Sequence, residues 1–333
     1  MAHSTGPREL HVDQHLTNLA INYRPQNLIA DMIAPIVPVQ KQRDTYPVYS
    51  RFETFAIEDT KRGPGAEAKK ITRSVGSAFY QAENYALGSD VTIEDVANVD
   101  AVYRGLSATG KSRFLMDKLL LSYEKRVLDM VAASTAVGST FVCNSAFIAA
   151  GGAAGQNAGD PFAAFEQMCE YQKQTTNQRP NGVIIGWRAW GRIKRNYHMR
   201  NLLNGTNNGG GPVTRQAVQN LFEVDRFIIA DAMWQTANEA QTAVTSFYNP
   251  LSDMMIAYFA PSAPSIDDPS WMYSFRWTNP VLPAPMTVFR HPYDSRRRID
   301  TIEVDYYQDE RIVGADYAVG LLTNVASGAL GIG

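Results

Sequence analysis

Residues 45–57 of the chain read TYPVYSRFETFAI. Aromatic and β-branched residues dominate it, as they do in strands, and Pro47 confines such a strand to a sheet edge or an extended arm. The stretch leads to KRGPGAEAKK at residues 61–70, where a Gly-Pro-Gly turn signal is flanked by basic residues. A second run with aromatic residues returns from 71 to 87. The pattern predicts a long β-hairpin.

The predicted hairpin needs a surface to lie on, because an isolated two-stranded ribbon is only marginally stable in water. The apolar clusters of residues 1–44 are short and separated by prolines, so this N-terminal arm also cannot bury enough surface to fold alone. We expect both extensions to lie on the body of the subunit or on a neighbouring subunit. The hairpin residues that we expect to contact another subunit are Lys61, Arg62, Lys69, Lys70 and Arg73.

Helical periodicity is strongest from 111 to 136, where apolar residues recur at spacings of three and four. A core-packing amphipathic helix explains this pattern. Helices and strands alternate irregularly along the rest of the chain, which predicts an α+β fold. The other predicted elements are a helix at 161–175 with Asp160 as its N-cap, a strand at 182–187, a helix at 188–197, strands at 227–230 and 254–259, and closing strands at 299–307 and 318–325.

Composition and charge exclude several classes of protein. The 333 residues include 31 Lys and Arg against 33 Asp and Glu, so the chain is not a globally basic nucleic-acid binder. Cys143 and Cys169 form no CxxC pair, which argues against a zinc ribbon or a disulfide framework. Residues 1–10 lack the apolar core of a secretory signal, and the uncharged residues 130–159 are too rich in Gly, Ser and Thr for a membrane helix. We expect a protein of a reducing cytoplasm with no membrane partner.

No motif points to an active site or a cofactor. His11 and His15 are spaced for one helix face with Asp13 between them, but no further ligand can be identified, so we expect no metal site. The glycines at 205–211 lack the Gly-Lys-Ser/Thr ending of a phosphate-binding loop. The acidic residues from 300 to 310 are explained by solvated strand faces or ion pairs. We therefore expect no catalytic residue, no cofactor and no enzyme activity.

Charge is unevenly distributed along the chain. Residues 171–222 hold eight basic and no acidic residues, whereas residues 223–289 hold seven acidic and two basic residues. The two blocks could neutralise each other within one subunit or pair head to tail between identical subunits. The basic block could instead contact nucleic-acid phosphates without sequence specificity. We favour subunit contact over DNA contact for the residues Arg188, Arg192, Lys194, Arg195 and Arg200.

The order of these features resembles that of the major capsid (coat) protein family of tailed double-stranded-DNA bacteriophages. Residues 85–95 (YALGSDVTIED) look like that family's transition from extended loop to spine helix, and residues 115–124 (LMDKLLLSYE) look like part of that helix. Residues 180–185 (PNGVII), followed by Trp190, are similar to a strand and helix of the family's axial domain. The closing segments, 309–313 and 321–325, resemble the family's final strands.

The resemblance covers nearly the whole chain and implies its division into parts. These are an N-terminal arm at 1–44, an extended β-hairpin loop at 45–90, a peripheral domain with the spine helix at 91–145, an axial domain at 146–295, and closing strands returning to the peripheral domain at 296–333.

The resemblance also implies a function. Subunits of this family self-assemble into hexamers and pentamers that form the icosahedral head shell of the virion around packaged double-stranded DNA. The implied partners are other copies of the chain, a portal protein, a decoration protein in some shells, and DNA in non-specific contact. Some relatives carry a cleaved N-terminal scaffolding segment. Since only about 44 residues precede the hairpin here, we expect a separate scaffolding protein and assembly in the host cytoplasm.

Two other classes stay open from the sequence. One is a different virion component, such as a tail-tube or decoration protein, which would form stacked rings or bind a shell rather than build one. The other, with less support, is a cytoplasmic enzyme, which would need a pocket with convergent polar groups.

Overall fold

The structure is a computed structural model that describes residues 11–12, 28–49, 56–65, 67–72, 74–92, 94, 97, 108–142, 159–204, 213–235, 247–265, 268, 270–278, 286–291 and 293–323. The helices are α1 (Ala30–Ile33), α2 (Ala108–Ala132), α3 (Pro161–Thr176), α4 (Trp187–Ile193), α5 (Tyr197–Asn204) and α6 (Arg215–Phe222). The strands are β1 (His11–Val12), β2 (Ile36–Val39), β3 (Arg43–Tyr49), β4 (Val75–Gln81), β5 (Glu83–Thr92), β6 (Ser139–Val142), β7 (Gly182–Gly186), β8 (Arg226–Ala230), β9 (Trp234–Gln235), β10 (Phe247–Tyr248), β11 (Met254–Tyr258), β12 (Met272–Trp277), β13 (Thr287–Arg290), β14 (Ile299–Ile312) and β15 (Ala318–Leu322).

Two larger sheets and a ribbon organise these elements. One sheet has six strands in the order β1–β13–β14–β12–β2, with β5 also paired to β14. The other has five strands in the order β6–β15–β11–β7–β8. The ribbon consists of β3 and β4, and β9 pairs with β10. The predicted α+β class is confirmed.

The five-stranded sheet is covered on both faces. Every residue of β7 is buried, and its side chains alternate between two cores. Val183 and Ile185 pack into a core that includes Phe165 of α3 and Phe222 of α6, whereas Ile184 faces a core on the other side of the sheet. Strands buried on both faces read as continuous apolar runs, which is why this strand was predictable from GVIIG.

The spine helix α2 packs against both large sheets. Leu115 and Leu119, in its first half, belong to one core with Val304 of the six-stranded sheet. Tyr123 and Val127, in its second half, belong to the core beneath the five-stranded sheet. The apolar periodicity of residues 111–136 therefore marks one face of the helix, whose first and second halves pack into different cores. The helix begins and ends a few residues earlier than predicted, at Ala108 and Ala132.

Residues 28–39 of the N-terminal arm lie on the body of their own subunit. Ile33 of α1 is fully buried in the core that contains the second half of α2. The next strand, β2, pairs in parallel with β12 at the end of the six-stranded sheet. Pro38 is tolerated there because an edge strand leaves one side unpaired. Of the two alternatives left open by the sequence, these residues therefore pack on the body of their own subunit.

The strands of the predicted hairpin are shorter than expected. The outgoing strand is described as Arg43–Tyr49, residues 56–57 at its predicted end are not in a strand, and the return strand runs only from Val75 to Gln81. Residues 83–92 form β5, which pairs with β14 over ten residue pairs. The segment 83–90, predicted as part of the extended loop, therefore lies in the six-stranded sheet, because a long partner strand is available to it.

The closing strands also differ from the prediction. The predicted junction at 308–311 lies inside β14, because residues 308–312 pair with β12. The last strand, β15, does not return to the sheet of β14. It lies in the five-stranded sheet between β6, which we expected in the peripheral domain, and β11, which we expected in the axial domain.

Some predictions fall outside the described residues. These include the side chains of the His11–Asp13–His15 motif, the glycines at 205–211, Cys143 and Arg73. Within the described ranges, no helix combines the length and the apolar character that crossing a membrane requires.

Candidate assembly surfaces

One face of the β3–β4 ribbon attaches it to the six-stranded sheet. The two strands pair antiparallel over seven residue pairs. Tyr46 and Tyr80, one from each strand, are buried and stack on Phe275 of β12, with ring centroids 5.3 and 4.7 Å away. Aromatic pairs at these distances add stabilisation beyond the area they bury. This aromatic stack is the support that the ribbon needs within its own subunit.

The opposite face of the ribbon is open to solvent. Phe79, next to Tyr80 on β4, keeps 53% of its surface exposed, and Val75 on the same face is also exposed. The guanidinium groups of Arg43 and Arg311 lie 5.7 and 5.5 Å from the Phe79 ring centroid. These distances allow cation–π attraction. The outer face thus presents an aromatic ring flanked by two cations.

The loop that joins the ribbon strands exposes both apolar and charged side chains. Ile57 is 99% and Ile71 69% exposed. Lys69 forms an ion pair with Glu58 across the loop. Arg73 lies outside the described residues, and the structure places the other four predicted contact residues together on this exposed loop: Lys61, Arg62, Lys69 and Lys70.

The basic segment lies on α4, α5 and the turn between them. Ala189, Trp190 and Ile193 form the buried face of α4, so the basic residues are left at the surface. The ammonium of Lys194 lies 5.7 Å from the Trp190 ring centroid. The structure brings the five predicted residues into one short stretch of surface helices: Arg188, Arg192, Lys194, Arg195 and Arg200.

Two ion pairs join the basic block to the acidic block inside one subunit. Arg188 Nη1 lies 3.0 Å from Asp253 Oδ2, and Arg179 Nη1 lies 2.6 Å from Glu223 Oε2. Neutralisation within the subunit, one of the alternatives left open by the sequence, therefore occurs for these two pairs. The Arg179–Glu223 pair is solvent-exposed and contributes little to the stability of the fold, whereas the Arg188–Asp253 pair is partly buried.

A third basic surface, at the turn between β13 and β14, was not singled out from the sequence. Arg296, Arg297 and Arg298 are exposed there. The Asp294 carboxylate accepts a hydrogen bond from the Arg296 N–H at 2.9 Å, and Arg298 has a left-handed φ of 57°. The signal available in the sequence was the run SRRRID at 295–300 between strand-like segments.

Arg126 joins the spine helix to the six-stranded sheet. Its guanidinium bonds to the Glu310 carboxylate at 2.9 Å and to the Tyr306 hydroxyl at 3.0 Å. It also lies 3.7 Å from the ring centroid of Tyr85 on β5. Glu310 is only 5% exposed, so this pair is largely shielded from water. The sequence showed the charges but not that α2 would place Arg126 opposite β14.

Ion pairs, rather than solvated faces alone, account for most acidic residues of β14. Asp305 is the exception: burial first, and then the adjacent Glu303, raise its pKa to about 6. The observed pairs are Asp300 with Arg290, Glu303 with His291, Asp309 with Arg311, and Glu310 with Arg126.

Within the part of the chain that the structure describes, no group of three or more His, Cys, Asp and Glu side chains is placed to hold a metal ion. Burial raises the pKa of the Cys169 thiol to about 11. A thiol with that pKa carries almost no thiolate near neutral pH and is a poor nucleophile.

No protein-family model matches the chain. The curated major capsid protein of Pseudomonas phage JBD67 is 26% identical over 235 residues, which cover 69% of this chain and 72% of the relative. A crystal structure of a phage-related protein from Bordetella bronchiseptica RB50 superposes with a TM-score of 0.69 at 16% identity, covering 94% of this chain and 98% of the other. A chain of the cyanophage P-SCSP1u capsid gives a TM-score of 0.56 at 12% identity, covering 90% and 89%.

The fold is therefore that of the capsid proteins of tailed phages. Within that class, the resemblance to the major capsid proteins that was inferred from the order of the motifs is confirmed by the curated relative and by the capsid structure.

Proposed function

We propose that this chain is a major capsid protein, a structural subunit whose copies build the head shell of a phage. The observation that carries the proposal is the agreement of two independent comparisons: a curated relative named major capsid protein and a fold shared over at least 90% of the chain with a phage capsid. Such a protein acts by self-association and is not an enzyme.

The ribbon supports this role because one of its faces is left open in the isolated subunit. One of its faces is held by the Tyr46–Phe275–Tyr80 stack, while Phe79 and Val75 on the other face remain exposed. Apolar side chains grouped on an exposed surface mark protein–protein contact sites. We assign the outer face and the loop with Lys61, Arg62, Lys69 and Lys70 to contact with a neighbouring copy, and we extend this assignment to Arg73.

The finer assembly is part of the proposal. Hexamers and pentamers would close into an icosahedral shell around double-stranded DNA, with the chain divided into arm, extended loop, peripheral domain and axial domain. Because β15 and β6 lie in the five-stranded sheet with β7, β8 and β11, we assign all five strands to the axial part.

The basic segment is assigned to subunit contact in preference to DNA contact. Arg188 and Arg179 already pair with carboxylates of the acidic block within the subunit. The same chemistry between copies would use Arg192, Lys194, Arg195 and Arg200. If isolated capsomers bound DNA with an affinity that falls steeply with salt, the segment would instead be a phosphate-binding surface.

Further partners follow from the proposed role. A separate scaffolding protein would guide assembly in the host cytoplasm, and a portal protein would occupy one vertex. A decoration protein is compatible with the fold. The mature location is the virion capsid.

Electron microscopy of the purified chain, produced with and without the other head proteins of its phage, tests the proposal. Closed shells built from hexamers and pentamers are expected. Stacked rings without closed shells would indicate a tail-tube protein, and a compact monomer that persists with the assembly factors present would overturn the proposal.

A further inference from the structure

The carboxyl group of Glu124 is buried where the N-terminal arm meets the spine helix. Glu124 is fully buried on α2. Its Oε2 accepts hydrogen bonds from the N–H groups of Ile29 and Ala30, at 2.9 and 2.7 Å. Its Oε1 is also buried and has no hydrogen-bond partner among the described residues. One side chain therefore fixes the start of α1, and half of its carboxyl group is unsatisfied.

The charged groups around Glu124 do not neutralise it. The two basic residues that follow it on α2 are engaged elsewhere, Lys125 with Asp129 and Arg126 with Glu310. Among the described residues, the charged groups that face it are acids: Asp31 on α1, and Asp231 just after β8. A buried carboxylate without a cation is costly, and such a group is usually neutralised by a proton.

The hydrogen-bond pattern fits a neutral carboxylic acid. Oε2, acting as the carbonyl oxygen, accepts both N–H groups, and the proton occupies the otherwise unsatisfied Oε1. We propose that Glu124 takes up a proton when residues 28–34 dock on the spine helix, so that this part of the arm is held more tightly in mildly acidic than in alkaline solution. The inference concerns the subunit itself and does not depend on the proposed function.

The pH window follows from the two states of the group. Burial raises the pKa of docked Glu124 from 4.5 to about 7; the hydrogen bonds from the Ala30 and Ile29 N–H groups oppose this shift, and Asp31 and Asp231 add smaller upward contributions. A raised pKa means that docking is strongest below pH 4.5 and weakens as the pH rises toward 7, above which little further change occurs. Between pH 5.5 and 8.5 the docking equilibrium is expected to weaken roughly 30-fold.

Hydrogen exchange of the full-length, unassembled subunit tests this. The protection factors of the amides in residues 28–34, corrected for the intrinsic pH dependence of exchange, should fall roughly 30-fold between pH 5.5 and 8.5. Amides of β7 serve as the internal reference for global opening. Glu124→Gln keeps a carbonyl oxygen for the two N–H groups but cannot ionise. In this variant the protection factors of residues 28–34 should therefore not change with pH. Glu170→Gln, an exposed change on α3, should behave like the unsubstituted protein.

Equal pH dependence in the Glu124→Gln protein, or none in the unsubstituted protein, would overturn the proposal. If Glu124→Gln does not fold, the carboxyl carbon of Glu124 can be followed by NMR in the unsubstituted subunit. A midpoint near pH 7 supports the proposal, and one near 4.5 contradicts it.

Discussion

The five-stranded sheet and the β3–β4 ribbon differ in how their two faces are buried. The sheet buries both faces, and β7 has no exposed residue. The ribbon buries one face on Phe275 and leaves Phe79 on the other face half exposed. The sheet is largely buried within one chain, whereas we propose that the outer face of the ribbon is buried by contact with a neighbouring copy. Substitutions in the sheet should therefore change folding, whereas substitutions on the outer face of the ribbon should change assembly.

Gly186, at the end of β7, should show the largest effect on folding. A Cβ at this position would lie 1.9 Å from the Leu251 carbonyl oxygen and 2.3 Å from that of Ser252. Because backbone must move to admit it, Gly186→Ala should lower the free energy of unfolding of the unassembled subunit by at least about 3 kcal/mol in urea titration.

Gly191 is the matched control, since a Cβ there would meet no atom within 4 Å. It lies within α4, so Gly191→Ala should raise the unfolding free energy by about 0.5–1 kcal/mol. Similar losses from both substitutions would mean that the close approach at Gly186 does not limit packing.

Arg126 should come next in effect. Arg126→Met keeps the length of the side chain but leaves Glu310 buried without its cation, which should cost about 3 kcal/mol of unfolding free energy. Lys125→Met removes an exposed pair with Asp129 one residue earlier and should cost less than about 0.5 kcal/mol. If the two variants had the same urea midpoint, the buried Arg126–Glu310 pair would stabilise the subunit no more than the exposed Lys125–Asp129 pair does.

Phe79 and Tyr80 compare the two faces of the ribbon directly. Phe79→Ser removes a half-exposed ring and its contacts with Arg43 and Arg311, and should lower the unfolding free energy by less than about 1 kcal/mol. The same substitution should abolish or strongly reduce the yield of shells in sedimentation. Tyr80→Ser breaks the inner stack and should cost about 2–3 kcal/mol. A Phe79→Ser protein that forms shells in normal yield would show that the outer face is not a contact surface.

Arg188 should have the smallest effect. Its pair with Asp253 is only partly buried, so Arg188→Ala should lower the unfolding free energy by no more than about 1 kcal/mol in urea titration. A loss of several kcal/mol would mean that the basic and acidic blocks hold the subunit together rather than remaining available at its surface.

The sequence predicted the elements whose signals are local. The Asp160 cap is an example: Asp160 Oδ1 accepts the N–H of Phe162 at 2.9 Å, and α3 begins at Pro161 as expected. The periodicity of α2 and the apolar run of β7 were equally direct. These signals depend on neighbouring residues in the chain, so no knowledge of distant partners was needed.

The elements that were missed depend on distant partners. β2 looked like part of a proline-punctuated arm, and it becomes a strand only because β12, more than 230 residues later, offers its edge. β14 continues through a predicted junction for the same reason. The sequence identified the exposed residues of the ribbon loop as candidate contact residues. It did not predict the Tyr46–Phe275–Tyr80 stack, because that contact depends on where β12 places Phe275.

Deletion of residues 58–73 separates assembly from folding, because it removes the ribbon loop and spares both large sheets. The variant is produced beside the unsubstituted protein under the same assembly conditions. We expect the unfolding free energy of the deleted subunit to stay within about 1 kcal/mol of that of the unsubstituted protein. We also expect its electron micrographs to show no closed shells. Shells of normal form and yield from the deleted chain would contradict this expectation.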